Sequence, residues 1–290
     1  MFELYDECPF ELDWQESRLL AARKLSEAGI PCMIYAEDAL AHAHFVPTYQ
    51  FGLHIVVADS NKDLAAAVIA RTLHYKPYTG GREHYHESIF ADASLPLVYP
   101  YSVHLEITPA SPVDGPHMIL VHPQSFFNLA VDDYSRSISL PPFPDNIRFP
   151  TLTAFLDSLY DTIVDPSSGH RSRTGTRDHN TWVSYLFGYT IRQPFFLPNG
   201  DLKPEIVELK NSLRPENQFA FDQALRDKFS VKEAFHVRRE VFRQMGRLDL
   251  ANRPPPTRPP GNRAPIERLK ALTEAMASET TGPDRSVSQA

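Results

Sequence analysis

Residues 35–59, YAEDALAHAHFVPTYQFGLHIVVAD, decide the fold that we expect for this chain. The segment over 37–44 reads as a short helix, and it follows an apolar run over 30–36 that is typical of a buried strand. The β-branched run IVV predicts a second strand over 51–58 with both of its faces covered. The stretch therefore predicts a strand, a short helix and a second strand in succession.

Amphipathic segments lie on either side of this stretch. The first, DWQESRLLAARKLSEAG, predicts a helix over 13–28 that Asp13 caps and that ends before Gly29. The second, SNKDLAAAVIARTLHY, predicts a helix over 61–74 with Ser60 as its cap. The chain therefore begins with alternating helices and strands.

Further strand signals follow as far as residue 150. The runs EHYHESIF, LPLVYPYSVHLEIT and PHMILVHP lie between turn residues, and each of them predicts a strand. The proline-rich run over 135–151, SRSISLPPFPDNIRFPT, is interpreted as a linker. A first unit over 1–150 is therefore expected.

From Thr151 the apolar spacing becomes helical, and the polar run SSGHRSRTGTRDHN is interpreted as a loop between two helices. The last amphipathic segment begins with Ser230 and Glu233 at the spacing of a capping box and ends at Gly246. The polar, proline-rich composition after Gly246 predicts disorder. The expected fold class is α+β, with a mixed sheet flanked by helices. The expected units are an α/β core over 1–150, a helical subdomain over 151–246, and a Pro-rich linker with a disordered tail over 247–290.

The chain as a whole is acidic, with a net charge of −7 and a pI of about 5.9. Because no global positive field attracts nucleic acid or an anionic membrane, we expect neither as a partner. Two cysteines in 290 residues form no disulfide framework. The N-terminus lacks the features of a secretory signal, and no run reaches the roughly 20 apolar residues of a membrane helix. A soluble, cytoplasmic protein is expected.

The order of helix, strand, short helix, strand and helix resembles the nucleotidyltransferase superfamily, which has the fold of DNA polymerase beta. The likeness is strongest to small bacterial and fungal members with a minimal catalytic core, and it covers about residues 13–125. The resemblance implies a Gly-Gly or Gly-Ser pair before the short helix and an Asp-x-Asp motif on the second strand. It also implies a third carboxylate on a later strand, so that the carboxylates hold two magnesium ions.

This sequence departs from the family pattern at the positions that carry the chemistry. The glycine pair is replaced by Ala36 and Glu37, which places a negative charge where a triphosphate would lie. The Asp-x-Asp motif is replaced by Gly52, Leu53 and His54, which offer no carboxylate oxygen to Mg²⁺. In VHLEI, Glu106 is the carboxylate at the third position. We therefore expect no magnesium at a standard two-metal site, and the identity of any other cofactor does not follow from these residues.

The leading hypothesis is a catalytically degenerate nucleotidyltransferase-like protein that binds a nucleotide-like ligand or a protein partner. Glu37, Asp38 and His54 are then candidate ligand-binding residues, and Glu106 is the one retained residue of catalytic type. Two alternatives stay open. The first is an active nucleotidyltransferase with a rearranged metal site around Glu106, Glu37, Asp38 and nearby histidines. The second is an interaction module that acts through its Pro-rich tail.

Nine of the twelve histidines lie between residues 42 and 122. Alternate residues of a strand share a face, so that His84 pairs with His86, and His104 with Glu106. If these strands neighbour His54, the five side chains form a candidate site for zinc, iron or manganese. The alternative is a set of hydrogen-bonded or solvated histidines on a sheet face.

Two further features have both a functional and a structural interpretation. The arginines Arg171, Arg173 and Arg177 form a cationic cluster that is suited to phosphate, or they lie in a solvated loop. The proline-rich run from Pro254 to Pro260 is a candidate ligand for an SH3-type domain, or it is a stiff linker.

Overall fold

The computed structural model describes residues 4–78, 99, 101–109, 115–164, 173–251 and 269–276, with the backbone alone for 173–178. The strands are β1 Cys32–Tyr35, β2 Leu53–Val57, β3 Tyr75–Pro77, β4 Val103–Ile107, β5 Met118–Pro123, β6 Ser137–Ile138 and β7 Ile147–Pro150. The helices are α1 Leu12–Arg18, α2 Leu20–Glu27, α3 Ala36–His44, α4 Lys62–Leu73, α5 Gln124–Phe127, α6 Leu152–Val164, α7 Arg173–Tyr185, α8 Pro204–Ser212, α9 Gln218–Leu225, α10 Val231–Gln244 and α11 Leu248–Ala251. Residues 269–276 are also helical.

The strands form one mixed sheet in the order β3-β4-β5-β2-β1-β7-β6. Strand β2 is antiparallel to β1 and parallel to β5, while β1 is also parallel to β7. The central strands β1 and β2 are buried along their whole length, as expected when helices cover both faces of a sheet. The predicted α+β class with a mixed sheet is confirmed.

Alternate residues of the central strands enter two separate apolar cores. On one face Cys32, Ile34 and Ile55 pack with α2 and α4. On the other face Met33 and Val56 pack with α3, α6 and α7. This alternation is the normal geometry of a strand, and it fixes which side chains meet the helical region.

Two interpretations of the N-terminal half are corrected by the structure. The predicted helix over 13–28 is two helices that meet at Leu19, and α1 begins after Glu11 without a side-chain cap from Asp13. The predicted linker over 135–151 contains β6 and β7. Because β7 pairs with β1 and its Phe149 is fully buried, this proline-rich run belongs to the core sheet.

The helical region differs from the sequence prediction at one segment. Helix α7 begins at Arg173, so that most of the polar run that was interpreted as a loop is helical. The predicted cap of α10 is confirmed, because Ser230 accepts a hydrogen bond from the Glu233 backbone N–H. None of the helices in the described part of the chain combines the length and the apolar character that a membrane span requires.

The helix over 269–276 packs against the face of the sheet that α2 and α4 cover. Leu269 is buried in that core, and Leu272 and Met276 pack against it. The guanidinium of Arg71 on α4 donates a hydrogen bond to the Met276 carbonyl at 3.4 Å. This part of the predicted tail therefore contacts the core. The run from Pro254 to Pro260 lies outside the described residues.

A buried ionic network connects α6 to α10. The Arg238 guanidinium donates a hydrogen bond to Asp161 at 2.6 Å and another to the Asn217 side chain at 2.7 Å. Asn217 in turn donates to Asp157 and Asp161. Both carboxylates are fully buried, so that removal of one partner leaves a charge without full compensation.

We predict that Arg238→Met destabilises the protein by about 3 kcal/mol, because a buried ion pair is costly to break from one side. The free energy of unfolding would be measured by chemical denaturation. Arg243→Met on the same helix is the control, since Arg243 and its partner Glu240 are exposed, and it should change stability little. Equal effects of the two substitutions would contradict a stabilising role of the network.

Candidate functional site

The candidate site lies on the sheet face that α6 and α7 cover. The strand register places Tyr35, His54 and Leu120 side by side on β1, β2 and β5, and His104 of β4 continues this row. His122 lies two residues after Leu120 and therefore shares the same face. Three neighbouring strands thus bring three histidines to one side of the sheet.

Two of these histidines are joined to each other and to a serine. Nδ1 of His54 lies 3.0 Å from Nε2 of His122, and Nδ1 of His122 lies 2.6 Å from Oγ of Ser102. The imidazole rings are nearly parallel, with an interplanar angle of 19°. Both histidines are buried, whereas Ser102 is partly exposed. We refer to Ser102, His122 and His54 as the Ser–His–His relay.

Helix α7 covers this face through Trp182. Its indole Nε1–H donates a hydrogen bond to Glu37 Oε1 at 2.9 Å, which links α7 to α3. The indole ring packs edge-on against His54, with a centroid distance of 6.2 Å, and against Tyr35 at 6.0 Å. Trp182 is only 3% exposed, so that its ring is part of the buried surroundings of His54.

Burial keeps the imidazoles of His54 and His104 uncharged at neutral pH. Burial lowers the pKa of His54 from 6.5 to about 3, and the positive charge of Arg18 lowers it further. Burial lowers the pKa of His104 to about 4, although its hydrogen bond to the Tyr99 carbonyl acts in the opposite direction. Because a neutral imidazole has one donor and one acceptor nitrogen, His54 can either give or take the hydrogen bond to His122.

The two acidic residues that we predicted to bind a ligand are held by partners within the chain. Asp38 is fully buried and accepts hydrogen bonds from Nε and Nη2 of Arg18, at 2.6 Å and 2.9 Å. Glu37 is buried and accepts the indole hydrogen bond of Trp182. These contacts fix α3 between α1 and α7 and leave both carboxylates turned towards protein groups.

Glu106 lies at a distance from His54. It is on β4, and β5 separates β4 from β2 in the sheet. Two strand spacings correspond to roughly 10 Å between the two backbones. The Glu106 carboxylate is 24% exposed and lies 3.2 Å from the ammonium of Lys76, whose positive charge opposes that of a metal ion at the same place.

The remaining predicted site residues are described only in part. His84, His86 and Arg171 lie outside the described residues. Arg173 and Arg177 lie on α7, within the segment for which the backbone alone is described. Of the proposed metal cluster, His54, His104 and Glu106 can therefore be placed on one sheet face, and the other two members cannot be placed.

The parallel pairing of β2 with β5 brings in residues that the sequence reasoning did not select. His122 is one of the nine clustered histidines, but its position beside His54 depends on a strand register that periodicity does not give. Ser102 and Trp182 come from a distant turn and a distant helix. The available signal was that Ser102 lies two residues before His104, because alternate residues of an extended segment share a face.

The relay and the covering indole define the candidate site. Across the residues that the structure describes, no three His, Cys, Asp or Glu side chains are arranged to hold a metal ion together. No family model, no curated protein and no solved structure matches the chain. The nucleotidyltransferase relationship therefore stays a prediction that rests on the order of the elements and the positions of a few residues.

We predict that the protein loses stability as the pH falls from about 6.5 towards 4. Burial lowers the pKa of His44 and His104 to about 4 and that of His54 to about 3, so that these groups bind protons in the unfolded chain before they do so in the native state. Each of them should contribute a slope of roughly 1 kcal/mol per pH unit in this window. Urea denaturation at a series of pH values measures this dependence.

Substitution of one histidine tests whether protonation of His54 contributes to this pH dependence of stability. His54→Leu should reduce the slope of the unfolding free energy against pH by the contribution of about one proton. The reason is that it removes one imidazole that is uncharged in the native state. His236→Leu, at an exposed imidazole of α10, should leave it unchanged. If His54→Leu has the full dependence of the unsubstituted protein, protonation of His54 is not coupled to unfolding.

Proposed function

We propose that this protein has a nucleotidyltransferase-like core that does not transfer nucleotides and instead acts by binding a protein partner. The proposal is supported by the order of β1, α3, β2 and α4 and by their pairing in a mixed sheet. It is carried by one observation: His54, at the position where the resemblance implies metal-binding aspartates, is a buried, neutral imidazole that bonds to His122.

A neutral and desolvated imidazole is a poor replacement for a magnesium ligand. Mg²⁺ requires hard oxygen ligands in octahedral geometry and retains several waters. His54 is 2% exposed, and a hydrated ion with its phosphates would have to displace the neighbouring aromatic rings to reach it. The loss of two-metal chemistry then follows from burial as well as from the absence of carboxylates at this position.

The same burial favours a macromolecular ligand over a nucleotide. A base or a triphosphate bound above His54 would occupy the place of Trp182, whose indole bonds to Glu37. Glu37 also adds a carboxylate at the point where phosphates would lie, and like charges repel there. A protein partner bound to the outer surface requires no such displacement.

The alternative of a rearranged active site would depend on Glu106. This carboxylate is separated from His54 by a complete strand and is paired with Lys76 at 3.2 Å. Glu37 and Asp38 are engaged with Trp182 and Arg18, so that recruiting them would break buried contacts. Such a site therefore has less support than the binding function.

We predict that the protein does not incorporate label from α-³²P nucleoside triphosphates with Mg²⁺ or Mn²⁺, either into itself or into RNA and protein acceptors. We also expect its thermal midpoint to remain constant when millimolar nucleotide is added with Mg²⁺, since a ligand that binds the native state would raise it. Filter binding measures the incorporation, and differential scanning fluorimetry measures the midpoint.

Glu106→Ala is the matched control. If the unsubstituted protein incorporates label and Glu106→Ala does not, the rearranged transferase is correct and our proposal is wrong. A nucleotide-dependent rise of the thermal midpoint without incorporation of label would instead identify a nucleotide-binding protein. It would contradict our proposal that the ligand is a protein.

A further inference from the structure

We propose that Ser102 is a nucleophile that His122 activates as a general base and that His54 positions, so that the protein can transfer acyl groups from esters. This activity goes beyond the proposed binding function and uses no nucleotide or metal. The geometry that carries it is the pair of distances in the relay, 2.6 Å from Ser102 Oγ to His122 Nδ1 and 3.0 Å from His122 Nε2 to His54 Nδ1.

These distances meet the requirement for an activated hydroxyl. A serine nucleophile needs a base within about 2.6–3.2 Å, and the base needs a third group that fixes its ring. In the relay the third group is an imidazole. The two imidazoles are nearly parallel, with an interplanar angle of 19°, and the hydrogen bond between them fixes the orientation of the His122 ring.

The tautomers of the relay are consistent with this role. If Ser102 donates its hydroxyl proton to His122 Nδ1, then His122 carries its own proton on Nε2 and donates it to His54 Nδ1. His54 must be neutral to accept, and its buried environment keeps it so. Each of the two hydrogen bonds then has one donor and one acceptor without a charged group, and His122 Nδ1 retains the lone pair that takes the serine proton.

The exposure of the three residues differs in the way that a nucleophile requires. Ser102 lies just before β4 and is partly exposed, whereas His122 and His54 are buried. A substrate carbonyl can therefore approach the hydroxyl while bulk water is kept from the imidazoles. Next to it, the Lys62 ammonium lies 3.0 Å from the Tyr101 carbonyl and places a positive charge beside the serine.

The reaction conserves atoms and protons. Ser102 Oγ bonds to the ester carbonyl carbon as its proton moves to His122 Nδ1. The tetrahedral intermediate collapses, the bond to the leaving alcohol breaks, and the alcohol takes the proton from His122. Water then attacks the acyl-serine, gives a proton to His122, and releases the acid as that proton returns to Ser102. An ester is the chosen substrate class because attack at a carbonyl carbon needs no metal ion, unlike most phosphoryl transfers.

A fluorophosphonate probe tests the nucleophile directly. We expect the folded protein to be labelled at Ser102, as identified by mass spectrometry of the peptides. Ser102→Ala should abolish labelling, and His122→Gln should reduce it at least 100-fold. Ser125→Ala is the matched control, since Ser125 is an exposed serine three residues after His122, and it should be labelled at Ser102 like the unsubstituted protein.

A second measurement keeps the test valid if His122→Gln does not fold. Ser102→Cys should be alkylated by iodoacetamide at least tenfold faster at pH 7 than Ser125→Cys, although residue 125 is the more exposed. Faster reaction at the less exposed position indicates that the surroundings of residue 102 activate its side chain. Equal or slower alkylation at residue 102, or no fluorophosphonate label at Ser102, would overturn the proposal.

The positioning role of His54 has its own readout. His54→Asn retains an amide oxygen that can accept a hydrogen bond from the His122 Nε2–H. This variant should retain a measurable fraction of the labelling rate, whereas His54→Leu should lose labelling. Circular dichroism would check that both variants are folded. Equal labelling rates in the two variants would exclude His54 from the relay while leaving the outcome for Ser102 and His122 unchanged.

Discussion

Uncharged imidazoles on a sheet that helices cover on both faces are the constraint on which the rest of this structure depends. A histidine on β2 is compatible with a closed core only if it stays neutral and its ring nitrogens find partners. His54 meets this condition through His122, and His122 through Ser102. The parallel pairing of β2 with β5 therefore has an energetic reason beyond its backbone hydrogen bonds, because it supplies the polar partner that His54 requires.

The helical region completes this arrangement. Trp182 covers His54 and bonds to Glu37, while Asp38, the next residue of α3, is bonded to Arg18 on α1. Helix α3 is thus held by one side chain that precedes it by about 20 residues and by another that follows it by more than 140. The nucleotidyltransferase resemblance predicts that the start of this helix lies open for phosphates, whereas in the structure it is an internal contact.

The elements around β2 were largely predictable, because each of them has a local cause. The run IVV is long and β-branched enough to predict β2, and the short helix after β1 begins within one residue of the predicted place. The errors arose where tertiary contacts override composition. Prolines around β7 suggested a linker, yet Phe149 is buried in the sheet, and the arginine-rich run after α6 is helical from Arg173.

The site was less predictable than the fold for a physical reason. Periodicity indicates which residues share a face of one strand, but it does not indicate which strands are neighbours. Glu106 was selected because of its charge, and it lies one strand too far from β2. His122 was not selected, because nothing within its own segment distinguishes it from the other histidines, and only the register of β5 on β2 brings it to His54.

The contact of the helix over 269–276 with the sheet has a consequence for biosynthesis. Leu269 lies in the same core as Cys32 and Ile55, which are translated more than 200 residues earlier. Until residue 269 has been synthesised and has left the ribosome, this core lacks one of its covering side chains. The nascent chain therefore presents an incompletely covered apolar surface while the residues between Ile55 and Leu269 are synthesised, and this is the interval in which a chaperone would bind it.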